Sequence, residues 1–117
     1  MSSARPLANT LLFITEGQSN GHVQVRCSGR SIHKVPADAW DPTLDRAIKT
    51  AHRTRKRLLL DVRDVSYANA ESYAPLVQAL VAAAELGVEV LIEYETSVPW
   101  QRQAIPAMQA ISAYSSS

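Results

Sequence analysis

The sequence predicts an α/β domain, a mixed sheet of about four strands flanked by helices in the order β-β-α-β-α-β-α. Three observations carry this. Leu58-Leu59-Leu60-Asp61-Val62 is a short, almost continuous apolar run, the pattern of a strand buried on both faces in the middle of a helix-covered sheet. The period then switches: Tyr73, Leu76, Val77, Leu80, Val81 and Ala84 form one helical stripe, and Gly87 follows where a left-handed C-cap is needed. Finally, helical and strand patterns alternate after a leading hairpin, which implies parallel βαβ crossovers.

Taken in order, residues 1–9 are small and polar and read as a flexible N-terminus, the domain spans 10–113, and 114–117 is a Ser-rich tail. Thr10-Leu11-Leu12-Phe13-Ile14 is the first strand candidate, followed by a turn cluster over 16–21. Val23, Val25 and Cys27 alternate with Gln24 and Arg26, so the returning strand has one buried and one wet face, and Ser28-Gly29-Arg30 ends or bulges it. Residues 31–40 read as irregular, with Trp40 plugging an edge of the core. Asp41-Pro42 is a helix start, and Leu44, Ala47, Ile48 and Ala51 mark its apolar stripe over 42–54. After the central strand and the helix 72–86 comes a β-rich run, 88–94. Thr96, Ser97 and Pro99 announce a last helix over roughly 98–113, with Trp100, Ala104, Ala107 and Ile111 on one face and Pro106 kinking it.

Length and composition narrow the class. One hundred and seventeen residues suit one domain with a real core, and 46% apolar with 20% charged residues are ordinary globular values. A net charge of +1 gives no global field toward nucleic acid or membrane. The basic run 52–57 falls at a helix end, where cations suit the dipole. A lone cysteine, no secretory pattern and no membrane-length apolar stretch predict a cytoplasmic chain without direct membrane insertion.

The chemistry-bearing residues are sparse. His22, His33 and His52 are scattered, so no metal site is expected, and none of the four glycines builds a phosphate loop, so no cofactor is expected either. Asp61 and Asp64 flank Arg63, which reads as a salt bridge rather than a catalytic pair. Cys27 reads as a small core residue. With no nucleophile–base pair, the chain is expected not to be an enzyme.

The informative stretch is the polar elbow between central strand and following helix, Ser66-Tyr67-Ala68-Asn69-Ala70-Glu71-Ser72. Two N-caps compete there. Asn69 would place Glu71 in the first turn, whereas Ser72 makes Pro75 the third helical residue, where its missing N–H costs no bond. Ser72 is the better cap for the regular helix, and Asn69 suits a looser turn before it. A helix N-terminus also receives a phosphate well, so Ser72 and Ser66 are phosphorylation candidates, against the plain alternative that both are structural.

The stretch LLLDVRDVSYANAESYAPLVQAL resembles the core motif of STAS domains, the anti-sigma-factor antagonist fold. There an apolar strand ending in Asp precedes a short turn, an Asp-Ser-Ser-Gly-Leu-like helix start and an apolar helix. The resemblance covers roughly residues 10–112, and Tyr73-Ala74-Pro75-Leu76 with Trp100-Gln101-Arg102 looks like a bacterial STAS-like regulator subgroup. Aligned on that motif, Asn69 stands for Asp, Ala70 and Glu71 for the two hydroxyl residues, and Ser72 for Gly. Glu71 therefore occupies the position usually phosphorylated. Three readings follow: a state locked like the phosphorylated one, a switch moved to Ser72 or Ser66, or a lost switch with docking retained.

The resemblance implies a non-catalytic regulatory protein acting by partner switching, with Asn69, Ala70, Glu71, Ser72 and Tyr73 as the partner-binding residues. Its partners would be an anti-sigma-type serine kinase, a phosphatase or another signalling protein, and a homodimer is a possible assembly. A small-molecule or lipid sensor and an accessory subunit of a membrane transporter are the alternatives. An apolar cavity beside the elbow would favour the sensor, and an apolar surface patch around it would favour docking. Ser72→Asp and Glu71→Lys, taken as first-turn surface changes, are expected to leave the fold intact.

Overall fold

Sheet formation begins at a tight hairpin. In the computed structural model, which describes residues 12–19, 21–32 and 35–115, strands β1 (Phe13–Ser19) and β2 (His22–Ser31) pair antiparallel from Phe13↔Ser28 to Ser19↔His22. Gly21 turns the chain at φ 77°, a conformation that favours glycine. The expected turn over 16–21 is therefore mostly strand. Its polar composition suited an edge strand, and the Asn-Gly dipeptide at 20–21 was the true hairpin signal. Thr10 and Leu11 lie outside the described residues.

Helix α1 (Pro36–Thr54) carries the chain to β3 (Arg57–Ala68), and α2 (Tyr73–Glu85) carries it to β4 (Val90–Glu93), with α3 (Pro99–Ser115) last. The sheet order is β1-β2-β3-β4, antiparallel in the first pair and parallel in the others. The fold is thus the expected mixed four-stranded sheet with three helices.

The helices touch one another in sequence, α1 against α2 and α2 against α3, and enclose one core with the sheet. Val23, Val25 and Cys27, Leu58, Leu60 and Val62, and Val90 with Ile92 point into it. The intervening Gln24, Arg26, Leu59, Arg63, Leu91 and Glu93 are half-buried or exposed. Helices therefore cover one face of the sheet, not both. The continuous run at 58–62 misled because Asp61 is buried for a different reason: Arg63 folds over it, donating from Nε at 3.0 Å and from a terminal nitrogen at 2.9 Å.

Several boundaries move. Helix α1 starts at Pro36, six residues before the expected position, with Pro42 inside the helix. Pro36 provides the same N1 device as Pro42, and Trp40, fully buried, anchors the added turns. Arg55, in the left-handed region at φ 57°, ends α1 within the exposed basic run. Gly87 (φ 75°) ends α2 as expected, with the Val88 N–H donating to the Ala83 carbonyl at 2.8 Å. On α2, Val81 is 42% exposed and Ala83 takes the buried place. On α3, Ile105 and Met108 are buried and Ala107 is exposed, and the helix runs through Pro106 to Ser115, into the segment expected as tail.

Strand β3 is longer than the apolar run, and the reason is local. Two register shifts against β2, between Arg26 and Ser28 and between Gly29 and Arg30, each insert an extra residue into β3. Core-facing residues then fall at Val62, Val65 and Ala68, a spacing of three that no strand periodicity would reveal. Ser66, Tyr67 and Ala68, expected in the elbow, are strand residues. Gln101 of α3, fully buried, braces this irregular segment by donating to the carbonyls of Val62 (2.7 Å) and Val65 (2.9 Å).

Candidate functional site

The elbow between β3 and α2 is built as a two-step helix start. Asn69 caps a 3₁₀ turn (Ala70–Ser72), its Oδ1 accepting the Ser72 N–H at 3.1 Å. Ser72 then stands at the N-cap position of α2 without a side-chain capping bond, and Pro75 is the third residue of the helix. The two competing caps thus divide the work: Asn69 starts the looser turn, and Ser72 marks where the regular helix begins.

Ser72 nevertheless faces inward. Its side chain is fully buried, and its Oγ lies 2.6 Å from Ser31 Oγ and 2.6 Å from Asn69 Oδ1. Ser31, at the end of β2, also accepts the Trp40 indole N–H at 2.9 Å, while its carbonyl accepts the Asn69 N–H at 3.1 Å. One donor chain satisfies every member: Trp40 to Ser31, Ser31 to Ser72, Ser72 to Asn69. The node ties α1, β2 and the elbow together. Residue 72 is therefore not the surface position the sequence suggested, and Ser72→Asp cannot be treated as a mild surface change. Modifying its hydroxyl requires the elbow to open.

The other elbow residues divide by exposure. Ala70 and Glu71 are exposed, and Asn69 is half-buried. Tyr73 is half-buried and stacks on Trp100 with ring centroids 6.2 Å apart, and the Trp100 indole N–H donates to the Val65 carbonyl at 2.7 Å. Ser66 is exposed, its hydroxyl donating to the Gly29 carbonyl at 3.3 Å. Glu71 and Ser66 thus present their side chains at the surface, while Ser72 and Tyr73 serve the frame.

Exposed apolar residues also lie on this part of the molecule, of which sequence reading named Tyr67 within the elbow and passed over Ile32 and Val35. Ile32 (37% exposed), just after β2, Val35 (55%), at the N-cap of α1, and Tyr67 (50%), on β3, are three of the five large hydrophobic side chains exposed among the described residues. Ser31 and Ala68 are register partners, so Ile32 and Tyr67 border the elbow, and Val35 begins the helix that touches the 3₁₀ turn. Glu71 in the 3₁₀ turn adds an exposed carboxylate, and Asp38 lies in the first turn of α1. Ile32 and Val35, outside the strand and the helix they flank, carry no periodic signal.

Other candidates resolve structurally. Asp61 pairs with Arg63 rather than acting with Asp64. Burial pushes its carboxyl upward, but the hydrogen bonds and charge of Arg63, with Arg26 at 3.8 Å, outweigh that and hold it below the ordinary value. Cys27 is fully buried, and burial together with the Asp61 charge pushes its thiol well above the usual range. Among the described residues, no group of three His, Cys, Asp or Glu side chains could hold a metal ion, and His33 lies outside them. An open cleft of about 450 Å³ lies between α1 and α2, lined by Pro42, Leu44, Ile48 and Ala79 with Asp41 and Asp45, not beside the elbow. No helix among the described residues is long and apolar enough to cross a membrane. No protein-family model and no curated protein matches the sequence.

Proposed function

We propose that the chain is a non-catalytic regulatory module, STAS-like in its elbow motif, that docks a protein partner on the surface around Glu71. The observation that supports this reading is the exposure of Ile32 and Tyr67 beside an elbow held by buried hydrogen bonds, with Val35 exposed at the start of α1. Exposed apolar side chains beside fixed charge suit a protein interface, in which aromatic anchors supply contact area and charge sets register. Glu71 supplies a permanent negative charge where the resembling family carries a phosphorylatable hydroxyl. It stands in for part of the charge of a phosphoryl group, which is about −1.5 to −2 at neutral pH. The module then acts as a docking surface fixed in its phosphorylated-like state, with an anti-sigma-type kinase, a phosphatase or another cytoplasmic signalling protein as partner.

The test is affinity against an identified partner. A tagged chain captures the partner from native lysate, mass spectrometry identifies it, and titration calorimetry compares wild type with Glu71→Lys and Tyr67→Ala. Each variant should weaken binding at least tenfold, about 1.4 kcal/mol, while keeping the wild-type unfolding midpoint. Unchanged affinity in both would show that the elbow is only a helix start.

A further inference from the structure

The face of the sheet that no described helix covers has a charge order that is complementary to itself. Arg26, Asp61 and Glu93 are register neighbours across β2, β3 and β4, and the next row on that face holds Gln24, Leu59 and Leu91. Asp61 is paired within the chain by Arg63 at 2.9 Å and by Arg26 at 3.8 Å, and the row sets an exposed cation on β2 and an exposed anion on β4, one strand to either side of β3. Neighbouring strands lie about 4.8 Å apart, so Arg26 and Glu93 are placed symmetrically about β3 at roughly 5 Å each.

From this geometry we infer that the open face is the interface of a homodimer whose twofold axis runs parallel to β3. Such an axis exchanges the two sides of β3. It stacks Arg26 of one copy over Glu93 of the second, and Glu93 over Arg26, while Leu59 meets Leu59 and Gln24 meets Leu91. Sheets stacked face to face lie about 10 Å apart, within reach of these side chains. Arg26 and Glu93 are accessible for the contact, with side chains 60% and 44% exposed. Leu59 and Leu91, already half-buried, complete their burial. Glu93 keeps Arg63 of its own chain at 3.6 Å and Arg26 keeps Asp61 at 3.8 Å, while Arg63, on the axis strand, faces Arg63 of the second copy with the Asp61 carboxylate beneath each. The opposite arrangement, with the axis perpendicular to the strands in the plane of the sheet, leaves Arg26 over the second copy's β2 and gains no such pairing.

The contact is small. The axis on β3 overlays β2, β3 and β4 on their mates, and three strands by about five residues present roughly 240 Å² of flat projected surface per copy, below the usual size of a specific interface, so association is weak and falls in the micromolar range. This inference does not depend on the elbow, and it survives or fails separately from the docking proposal.

Sedimentation equilibrium of the full chain between about 5 and 500 µM reads the association directly. Wild type should dimerise within that range. Arg26→Glu places two carboxylates over each other in both symmetric contacts, and Glu93→Arg places two guanidinium groups over each other, so each variant alone should be monomeric. Mixed one to one, the two variants should form a heterodimer. The new carboxylate at position 26 of one then faces the new guanidinium at position 93 of the other, and the native Glu93 faces the native Arg26. If a reversed charge unfolds the chain by circular dichroism, Arg26→Gln and Glu93→Gln replace it, each weakening wild-type association about tenfold. A wild-type chain that stays monomeric to the highest concentration, a mixture of folded reversed variants that stays monomeric, or neutral variants that associate like wild type would each overturn the inference.

Discussion

Ser72 offers the sharpest separation between a surface hydroxyl and a structural one. The side chain of Ser72 is at 0% exposure, its Oγ between Ser31 Oγ and Asn69 Oδ1, each at 2.6 Å. Ser72→Ala removes both hydrogen bonds while the amide of residue 72 still reaches Asn69 Oδ1. At about 1 kcal/mol net for each bond, the loss is about 2 kcal/mol. Ser72→Asp is worse. Its carboxylate would meet two acceptors, Asn69 Oδ1 and the Ser31 carbonyl, with only the Ser31 hydroxyl able to donate, at a fully buried position whose Oγ already lies 2.6 Å from two neighbours. A buried, poorly paired charge with overpacking costs about 3–5 kcal/mol, a large share of the stability of a domain this size. Urea unfolding followed by far-ultraviolet circular dichroism measures both values. Ser31→Ala and the double variant close a cycle whose coupling energy should be about 1 kcal/mol. A Ser72→Asp protein within about 0.5 kcal/mol of wild type would refute the buried node and restore residue 72 as a surface switch.

Three further outcomes follow from the fold. Leu60→Asp places a charge at a site 4% exposed in the central strand and should abolish cooperative unfolding, read by the same urea titration. Gln109→Leu should expose the free edge of β4, because the Gln109 amide accepts the Ile92 N–H at 2.9 Å and donates to the Val90 carbonyl at 3.0 Å; faster hydrogen exchange at Ile92 and concentration-dependent aggregation are the readouts. Asp61 has a carboxyl held below its ordinary value, so the stability it contributes is fully present above the unfolded-state value of 3.8 and is lost as pH falls through the lower folded-state value. The stability gap between wild type and Asp61→Asn should therefore be widest near neutrality and narrow on acidification below that value, measured by urea unfolding at several pH values.

What the sequence makes legible here depends on whether a signal is local and periodic. Helix α2 is readable because its stripe meets Gly87 at a position that requires a positive φ. The stripe of α1 is readable too, but its start is not, since Pro36 and the Asp41-Pro42 pair give the same local cue and only the burial of Trp40 decides between them. The end of β3 is hidden because its bulges convert a spacing of two into three at Val62, Val65 and Ala68. One-sided coverage is hidden as well: Leu59 and Asp61 look like second-face core, yet one borders an open face and the other is buried beneath an arginine. At the elbow, the division of capping between Asn69 and Ser72 is readable from Pro75. The inward turn of Ser72 is not, because its partner Ser31 lies 41 residues away.

The same bulges that hide the end of β3 also explain how the elbow is braced. They carry the strand on to Ala68, level with Ser31 at the end of β2, so that Asn69 and Ser72 can bond to a neighbouring strand rather than to solvent. Gln101 and Trp100 hold the irregular segment from the other side. A helix start fixed at both flanks has little freedom to reorganise, so a covalent signal at Ser72 would have to break the frame that presents it. Glu71 needs no such change: its charge is permanent, it stands at the surface, and its backbone is held by the turn that Asn69 caps. On the proposed reading, a preorganised surface loses less conformational entropy on binding than a mobile one. A fixed carboxylate in place of a reversible phosphate is then the arrangement that a locked elbow favours.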